Sequence, residues 1–446
     1  MVSVHGASKE EVDKFVYAGG YYLESVKLYP HKQSPENPEH GIEIKRIINH
    51  VHIDESIYAM GLICTIQIAD GINIMERYRL SGNEKLKIII KRKDPFQELT
   101  RIELDFIATE YPLYTRAMNK KSQAYEVKFI SPHIYQGSLK SLCRSVSGSP
   151  IDIIYNILTN DLGYDESKIT KDGNVNNLYK YLIPNIKPIN AIRNVMINSV
   201  DNSISPIIVW ETMLGLNIKG LSTVFNSDVY KGRTYYMRAG RNLRDDGDTM
   251  FIDQLTTILE LSSDLKMSKI DEANDGAYAS SLNHYDVSSK TFKQSVFSYN
   301  TSSDNITKLS DFHSFSESFL IDDKSLADHH GACTYDLTTV NGSSNNSMLG
   351  DTVPNTILTR EAMLAHQDFM THDIKLYGDL EFTSGSIIDV SLPNGDVDSV
   401  ERDTHFSGKY LVTSISHKFE NEYTMNVKIK KDGLLENINI DDDFPN

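Results

Sequence analysis

The sequence predicts a mainly β protein with α+β insertions, built around two small antiparallel β domains. Three observations predict it. Short alternating apolar/polar runs fill the first 130 residues, with Gly, Pro, Asn and Asp between them. Helix start and stop signals appear in the middle of the chain, beginning at Ser149. Alternating runs then return and occupy residues 372–434.

In the N-terminal part the candidate strands are YYLESVKLY, GIEIKRIINHVHID, GLICTIQIAD, EKLKIIIKRKD, RIELDFIATEYPLY and QAYEVKFISPH. Pro35, Pro38, Asp70-Gly71, Ser81-Gly82-Asn83 and Asp94-Pro95 separate them. Strands at this spacing make one antiparallel sandwich or barrel over residues 1–130. An α/β domain over 131–205 follows. Ser149 is placed to cap a helix, with Pro150 at its first position and Asp152 near the positive end of its dipole. Ile151, Ile154, Tyr155, Leu158 and Leu162 share one face, and Gly163 ends the helix. A second helix runs from Pro188 to about Val200, aligning Ile189, Ile192, Met196 and Val200.

Ile207–Trp210 reads as a short apolar strand, and Met213-Leu214-Gly215-Leu216 turns it into a second. The piece 206–225 is too small to stand alone, so it is expected to join the terminal strands. The second β domain is then discontinuous, 206–262 and 368–435, and includes a helix over 251–263. The insertion 263–367 is loop-rich, with NTSSDN and NGSSNNSMLGD as surface loops. It also holds a hairpin turning at Asp286–Lys290 and a helix over 359–370 that leads back to the sheet. Residues 436–446 form a C-terminal tail.

The terminal strands are the clearest. Leu411, Thr413, Ile415, His417 and Phe419 alternate with Tyr410, Val412, Ser414 and Ser416. Glu420-Asn421-Glu422 is a polar turn, and Tyr423, Met425, Val427 and Ile429 alternate behind it. An isolated hairpin is barely stable, so more strands must pair with it. Upstream, Gly378 and Gly385 divide short runs containing Leu380, Phe382, Ile388 and Val390, as at barrel corners.

Composition narrows the function. Hydrophobic residues make up 40% and charged residues 24% of 446, ordinary values for a globular chain. The formal net charge of −16 argues against general binding to nucleic-acid phosphates. It suits a surface that DNA passes without sticking. Cys64, Cys143 and Cys333 are far apart and form no metal or disulfide pattern, so buried reduced thiols are expected. The first fifteen residues lack a signal-peptide pattern, and no stretch approaches 18 apolar residues, so membrane insertion is not expected. GxSxG, HExxH and Walker-type glycine loops are missing. Asp328-His329-His330 reads as a solvated loop, because three adjacent residues cannot all face one ion. Asp396, Asp398, Glu401 and Asp403 lack the glycine and final glutamate of a calcium loop and read as an acidic hairpin loop. Trp210 sits in an apolar run and reads as core, and His417 reads as a hydrogen-bonded structural histidine. No catalytic, cofactor-binding or metal-ligating set emerges.

The terminal segment nevertheless resembles the second barrel of the baseplate hub proteins of contractile-tailed, T4-like bacteriophages. It is similar also to phage late-control tail proteins and the hub part of type VI secretion spike proteins. The matching runs contain Gly378, Leu380, Phe382, Gly385, Ile388 and Val390, then Ser407, Gly408, Tyr410 and His417, then Tyr423, Asp432 and Gly433. The stretch from Ile186 to Phe225 resembles the hub helix, apolar strand and turn.

The resemblance implies two barrels per chain and a homotrimer, whose six barrels form a pseudo-sixfold ring. Such a structural, non-enzymatic hub joins the hexameric tail tube to a trimeric, sometimes lysozyme-bearing spike and lets DNA pass during ejection. Tape-measure and baseplate wedge proteins are further implied partners. The implied location is the virion baseplate, after assembly in the host cytoplasm. Type VI spikes continue into a needle, whereas only LLENINIDDDFPN follows Gly433 here, so the spike is expected on another chain. Asp396, Asp398, Glu401 and Asp403 are candidates to line the channel. The competing readings are a tailocin or other contractile injection hub, and a cell-wall hydrolase or glycan-binding tail protein.

Overall fold

Alternation in the N-terminal runs produces seven strands: β1 Tyr22–Tyr29, β2 Ile42–Glu43, β3 Ile48–Ser56, β4 Ile63–Asp70, β5 Lys85–Arg92, β6 Thr100–Arg116 and β7 Gln123–Ile130. The computed structural model describes residues 18–30, 40–92, 99–116, 123–172, 179–201, 204–237, 247–264, 268–287, 289–302, 306–310, 320–339, 353–367, 369–394 and 402–435. Middle strands are β8 Leu142–Gly148, β9 Ile169–Asp172, β10 Tyr179–Ile186, β11 Ile207–Thr212, β12 Gly215–Gly220, β13 Val229–Tyr236 and β14 Glu260–Asp264. The insertion carries β15 Ala279–Asp286, β16 Thr291–Ser298, β17 Leu320–Ile321, β18 Lys324–Ser325 and β19 Thr334–Thr339. The chain closes with β20 Met370–Tyr377, β21 Ile387–Ser391, β22 Gly408–Phe419 and β23 Tyr423–Lys431.

The two ends of the chain share one sheet. Its order is β14-β20-β23-β22-β3-β4-β7-β6-β5-β1-β2, with β21 branching from β22 and β13 pairing with β21. This corrects the expectation of two closed barrels: among the described residues no sheet closes on itself. The reason is local. The edge of β3 that could close an N-terminal barrel is taken by β22, from Ser414 opposite Ser56 to Phe419 opposite Val51. β22 serves two partners along one edge. Residues before its bulge at Val412/Ser414 pair with β21, and residues after it pair with β3.

The largest core cluster draws on both halves of this sheet, including Val51, Ile66, Ile88 and Phe129 from one and Leu376, Phe382, Val412 and Phe419 from the other. Burying the two sets together removes apolar surface that neither half would cover alone.

The middle segment departs from expectation in two places. The strands at 207–220 pair with each other and, in parallel, with β9. They do not join the terminal strands; β13 and β14 do. Trp210 is buried, as expected, and packs beside Gly385 of the terminal segment. The expected helix over 251–263 is instead a helix over Gly247–Thr256 followed by β14. Leu259 and Leu261 alternate with Glu260 and Ser262, a period of two that suits pairing with β20.

The helix after Ser149 forms as expected. Ser149 Oγ accepts from the Asp152 N–H at 3.2 Å, the helix spans Pro150–Asn156 and continues as a π turn to Asp161, and Gly163 follows with φ +66°. It packs with the helix Pro188–Ile197 and the 207–220 strands. In the insertion, β15 and β16 form the expected hairpin, and β19 adds in parallel. A helix over Val353–His366 leads into β20. Cys64 and Cys333 are buried, but Cys143 is exposed, because β8 sits in a two-stranded sheet.

Gly385 has φ +86°, and a Cβ there would lie 2.5 Å from the Trp210 ring. Gly385→Ala should therefore destabilise the protein by about 2 kcal/mol or more. Gly232 also has a positive φ, +61°, but meets nothing within 4 Å. Gly232→Ala should cost only about 1 kcal/mol. Urea-unfolding midpoints of the two variants measure the difference.

Candidate functional site

The seam between the two halves of the sheet gathers most of the notable polar side chains. Along β3 the buried face carries Val51 and Ile53 and then, at the next alternate position, Glu55. A carboxylate in a core position must have partners. Glu55 accepts from the Met213 N–H at 3.0 Å and from the Ser384 N–H. One side chain thus fastens β3 to the turn between β11 and β12 and to the loop before β21. His417, fully buried on β22, faces Glu55 with Nε2 at 3.9 Å, and its Nδ1 lies 2.8 Å from the Tyr423 hydroxyl.

The residues singled out in the terminal segment fall around this seam and behind it. The Gly378 N–H donates to the Tyr423 carbonyl at 2.9 Å, and a Cβ at 378 would lie 2.1 Å from the Tyr423 ring. Leu380, Phe382 and Ile388 are buried. The Gly385 N–H donates to Val412 O at 2.8 Å, while Trp210 Nε1 donates to Ser384 O at 3.0 Å. Ser407 Oγ accepts from the Leu392 N–H at 3.0 Å, and Gly408 has φ +130°. The Tyr410 hydroxyl donates to Phe406 O and lies 3.0 Å from His372 Nε2. Asp432 accepts from the N–H groups of Leu309 and Ser310 at 2.7 and 2.9 Å, holding the insertion against the sheet, and Gly433 beside it is buried.

In the acidic loop, Asp396, Asp398 and Glu401 lie outside the described residues. Asp403 is half-buried and accepts from the N–H groups of His405 and Phe406 at 2.8 and 3.0 Å, so it shapes a turn.

Sequence reasoning passed over several polar groups. Glu211 is buried and accepts from the Leu62 N–H and the Tyr164 hydroxyl, each at 3.0 Å, and from Ser131 Oγ. His133 stands nearby, but its Nε2 donates to the Met60 carbonyl at 2.7 Å. Serine, histidine and glutamate therefore meet without the order a nucleophile needs, since no imidazole accepts the serine proton. Lys431 is buried, donates to His405 O and Ser407 O at 2.6 and 3.1 Å, and is pushed by burial down to about 8. Burial, and then Lys431, push His372 down to about 4. At the solvent side of the seam His50 and His52 stack, with ring centroids 4.4 Å apart, and His52 Nε2 lies 2.8 Å from Glu420 Oε1. The His-x-His spacing on one strand was a visible signal; Glu420 reaches it only through the β3–β22 pairing.

No known family model matches the sequence, and no curated protein matches it. Solved structures do. A tail protein from Neisseria meningitidis MC58 matches with a TM-score of 0.52 and 10% identity, over 93% of this chain and 97% of that one. The 43 kDa tail protein of prophage MuSo2 from Shewanella oneidensis matches with a TM-score of 0.52 and 8% identity, over 92% and 99%. The chain has the fold of these tail proteins. A looser likeness, with a TM-score of 0.44 and 13% identity, extends to the Francisella PdpA–VgrG complex, over 95% of this chain and 60% of that one. In the tail-protein fold of this chain, the seam residues make structural bonds.

Glu55→Ala leaves two buried N–H groups without an acceptor and should destabilise the chain by about 3 kcal/mol, whereas Glu55→Gln, which keeps one carbonyl oxygen, should cost less. Chemical denaturation of both variants tests this. His372 predicts a pH effect. Its folded value of about 4 lies below the 6.5 of an unfolded histidine, so the unfolded chain binds the extra proton between those values. The stability His372 contributes is present above pH 6.5 and is lost as pH falls toward 4, by about 3 kcal/mol in all. Melting temperatures of wild type and His372→Gln over that range should show the slope flattened in the variant.

Proposed function

We propose that this protein is a structural subunit of a phage tail baseplate hub. The observation that carries the reading is the match of its fold to tail proteins over nearly the whole of both chains. The two β modules support it further. In this reading strands β1–β7 are the first module and β13, β14 and β20–β23 are the second, with the segments between them as additions. Three chains each carrying two similar modules offer six related surfaces on one side and three on the other. That solves the geometric problem of joining a hexameric tail tube to a trimeric spike.

In this reading the homotrimer is a ring with a central channel for DNA, part of the virion and assembled in the host cytoplasm. The tail tube and the spike are its direct partners, and tape-measure and wedge proteins dock around it. The net charge of −16 supports a channel wall that repels the phosphate backbone, with the loop of Asp396, Asp398, Glu401 and Asp403 as the candidate lining. The chain itself performs no catalysis. No helix among the described residues is long and apolar enough to cross a membrane.

Negative-stain electron microscopy of the purified chain, alone and mixed with its tube and spike neighbours, tests the reading. Rings with a central hole and three- or sixfold features are expected in at least the mixed sample. Single particles that bind neither neighbour would overturn the hub assignment. Clearing of a cell-wall suspension by the purified chain would overturn the non-enzymatic part.

A further inference from the structure

We propose that His50, His52 and Glu420 form a binding site for one divalent transition-metal ion of the zinc or nickel class, bridging the two halves of the sheet. The placement comes from the backbone. Residues 50 and 52 are alternate positions on β3, so both side chains leave the same face of the sheet. Phe419 lies opposite Val51, which brings the turn at Glu420 alongside both histidines. One ligand atom from each of the three residues falls within 4.8 Å of the others. Both imidazoles are half-buried, while Glu420 is exposed and reachable from solvent.

The donor chemistry selects the ion. Two imidazoles and one carboxylate suit zinc, nickel or copper, whereas magnesium and calcium require oxygen donors. Metal–ligand bonds of about 2.0–2.2 Å call for donors closer together than the present spread. Rotation of the His50 ring and the Glu420 side chain supplies that approach without moving the strands. The ion then replaces the His52–Glu420 hydrogen bond, and three protein donors leave a coordination position open to water or to a residue of a docking protein. The surrounding charges are mixed. Lys418 stands opposite His52 and opposes the ion, while Glu126 acts on His50 and favours it. Because one ligand comes from the β22–β23 turn and two from β3, metal binding should tighten the seam itself.

The test uses the full chain, prepared without a histidine tag and stripped with a chelator. Isothermal titration with Zn²⁺ should give one ion per chain, and Mg²⁺ should give no heat. Glu420→Gln, at an exposed position, should keep its fold by circular dichroism and weaken Zn²⁺ binding at least ~10-fold. The double variant His50→Ala/His52→Ala should lose the site. Zn²⁺ should raise the melting temperature of the wild type and leave that of the double variant unchanged. Absence of stoichiometric binding to the wild type would sink the proposal. So would undiminished binding by either variant, since the ion would then sit on other histidines of the chain.

Discussion

The structure depends on one edge-to-edge pairing, that of β3 with β22. A strand has two edges, and β3 gives one to β4 and the other to β22. Had β3 paired elsewhere, the N-terminal strands would form a separate domain and the two sets of core residues would face solvent at their junction. As built, the sheet runs through, and a single apolar cluster lies across both halves. The bulge in β22 makes this possible. It lets one strand serve β21 on its first stretch and β3 on its last, so the terminal segment is fastened to the N-terminal sheet without giving up its own internal pairing.

Glu55 shows how such a join is made specific. Apolar side chains at the same position would pack, but they would not demand particular neighbours. A buried carboxylate does, because its desolvation is offset only where donors are correctly aimed. Here the donors come from two different loops, at Met213 and Ser384. A slip of β3 by one residue would turn Glu55 out and bring a neighbouring residue in, leaving both N–H groups unpaired. The carboxylate therefore selects the register as well as the partner.

What was legible in the sequence was local. The terminal hairpin, the capped helix at Ser149, the β15–β16 hairpin and the core position of Trp210 each rest on signals within about ten residues. The helix at Gly247–Thr256 was legible in kind but not in extent, because the leucines that close it also fit a strand. Edge pairing was not legible, since any alternating strand can in principle join any other. Hence 207–220 was assigned to the wrong sheet, and the open, continuous sheet was read as two barrels. The same limit hid the third member of the proposed metal-ligand set: His50 and His52 share a strand, but Glu420 meets them only after distant parts of the chain have paired. That the fold of tail proteins recurs at 8–10% identity fits this picture. Apolar pattern and turn positions can specify such a sheet with few residue identities in common.

The β3–β22 pairing also has a consequence in time. Ser56 emerges from the ribosome long before Ser414, its partner in the sheet. At about 5–20 residues per second, the intervening chain takes roughly half a minute to synthesise. Through that interval the first seven strands must wait with the outer edge of β3 unpaired, an open template for any other extended chain. Polar residues moderate the hazard, for Asn49, Asp54 and Ser56 interrupt the apolar run along that strand. The pairing that completes the sheet is thus also the one that covers this exposed edge, once β22 has been made.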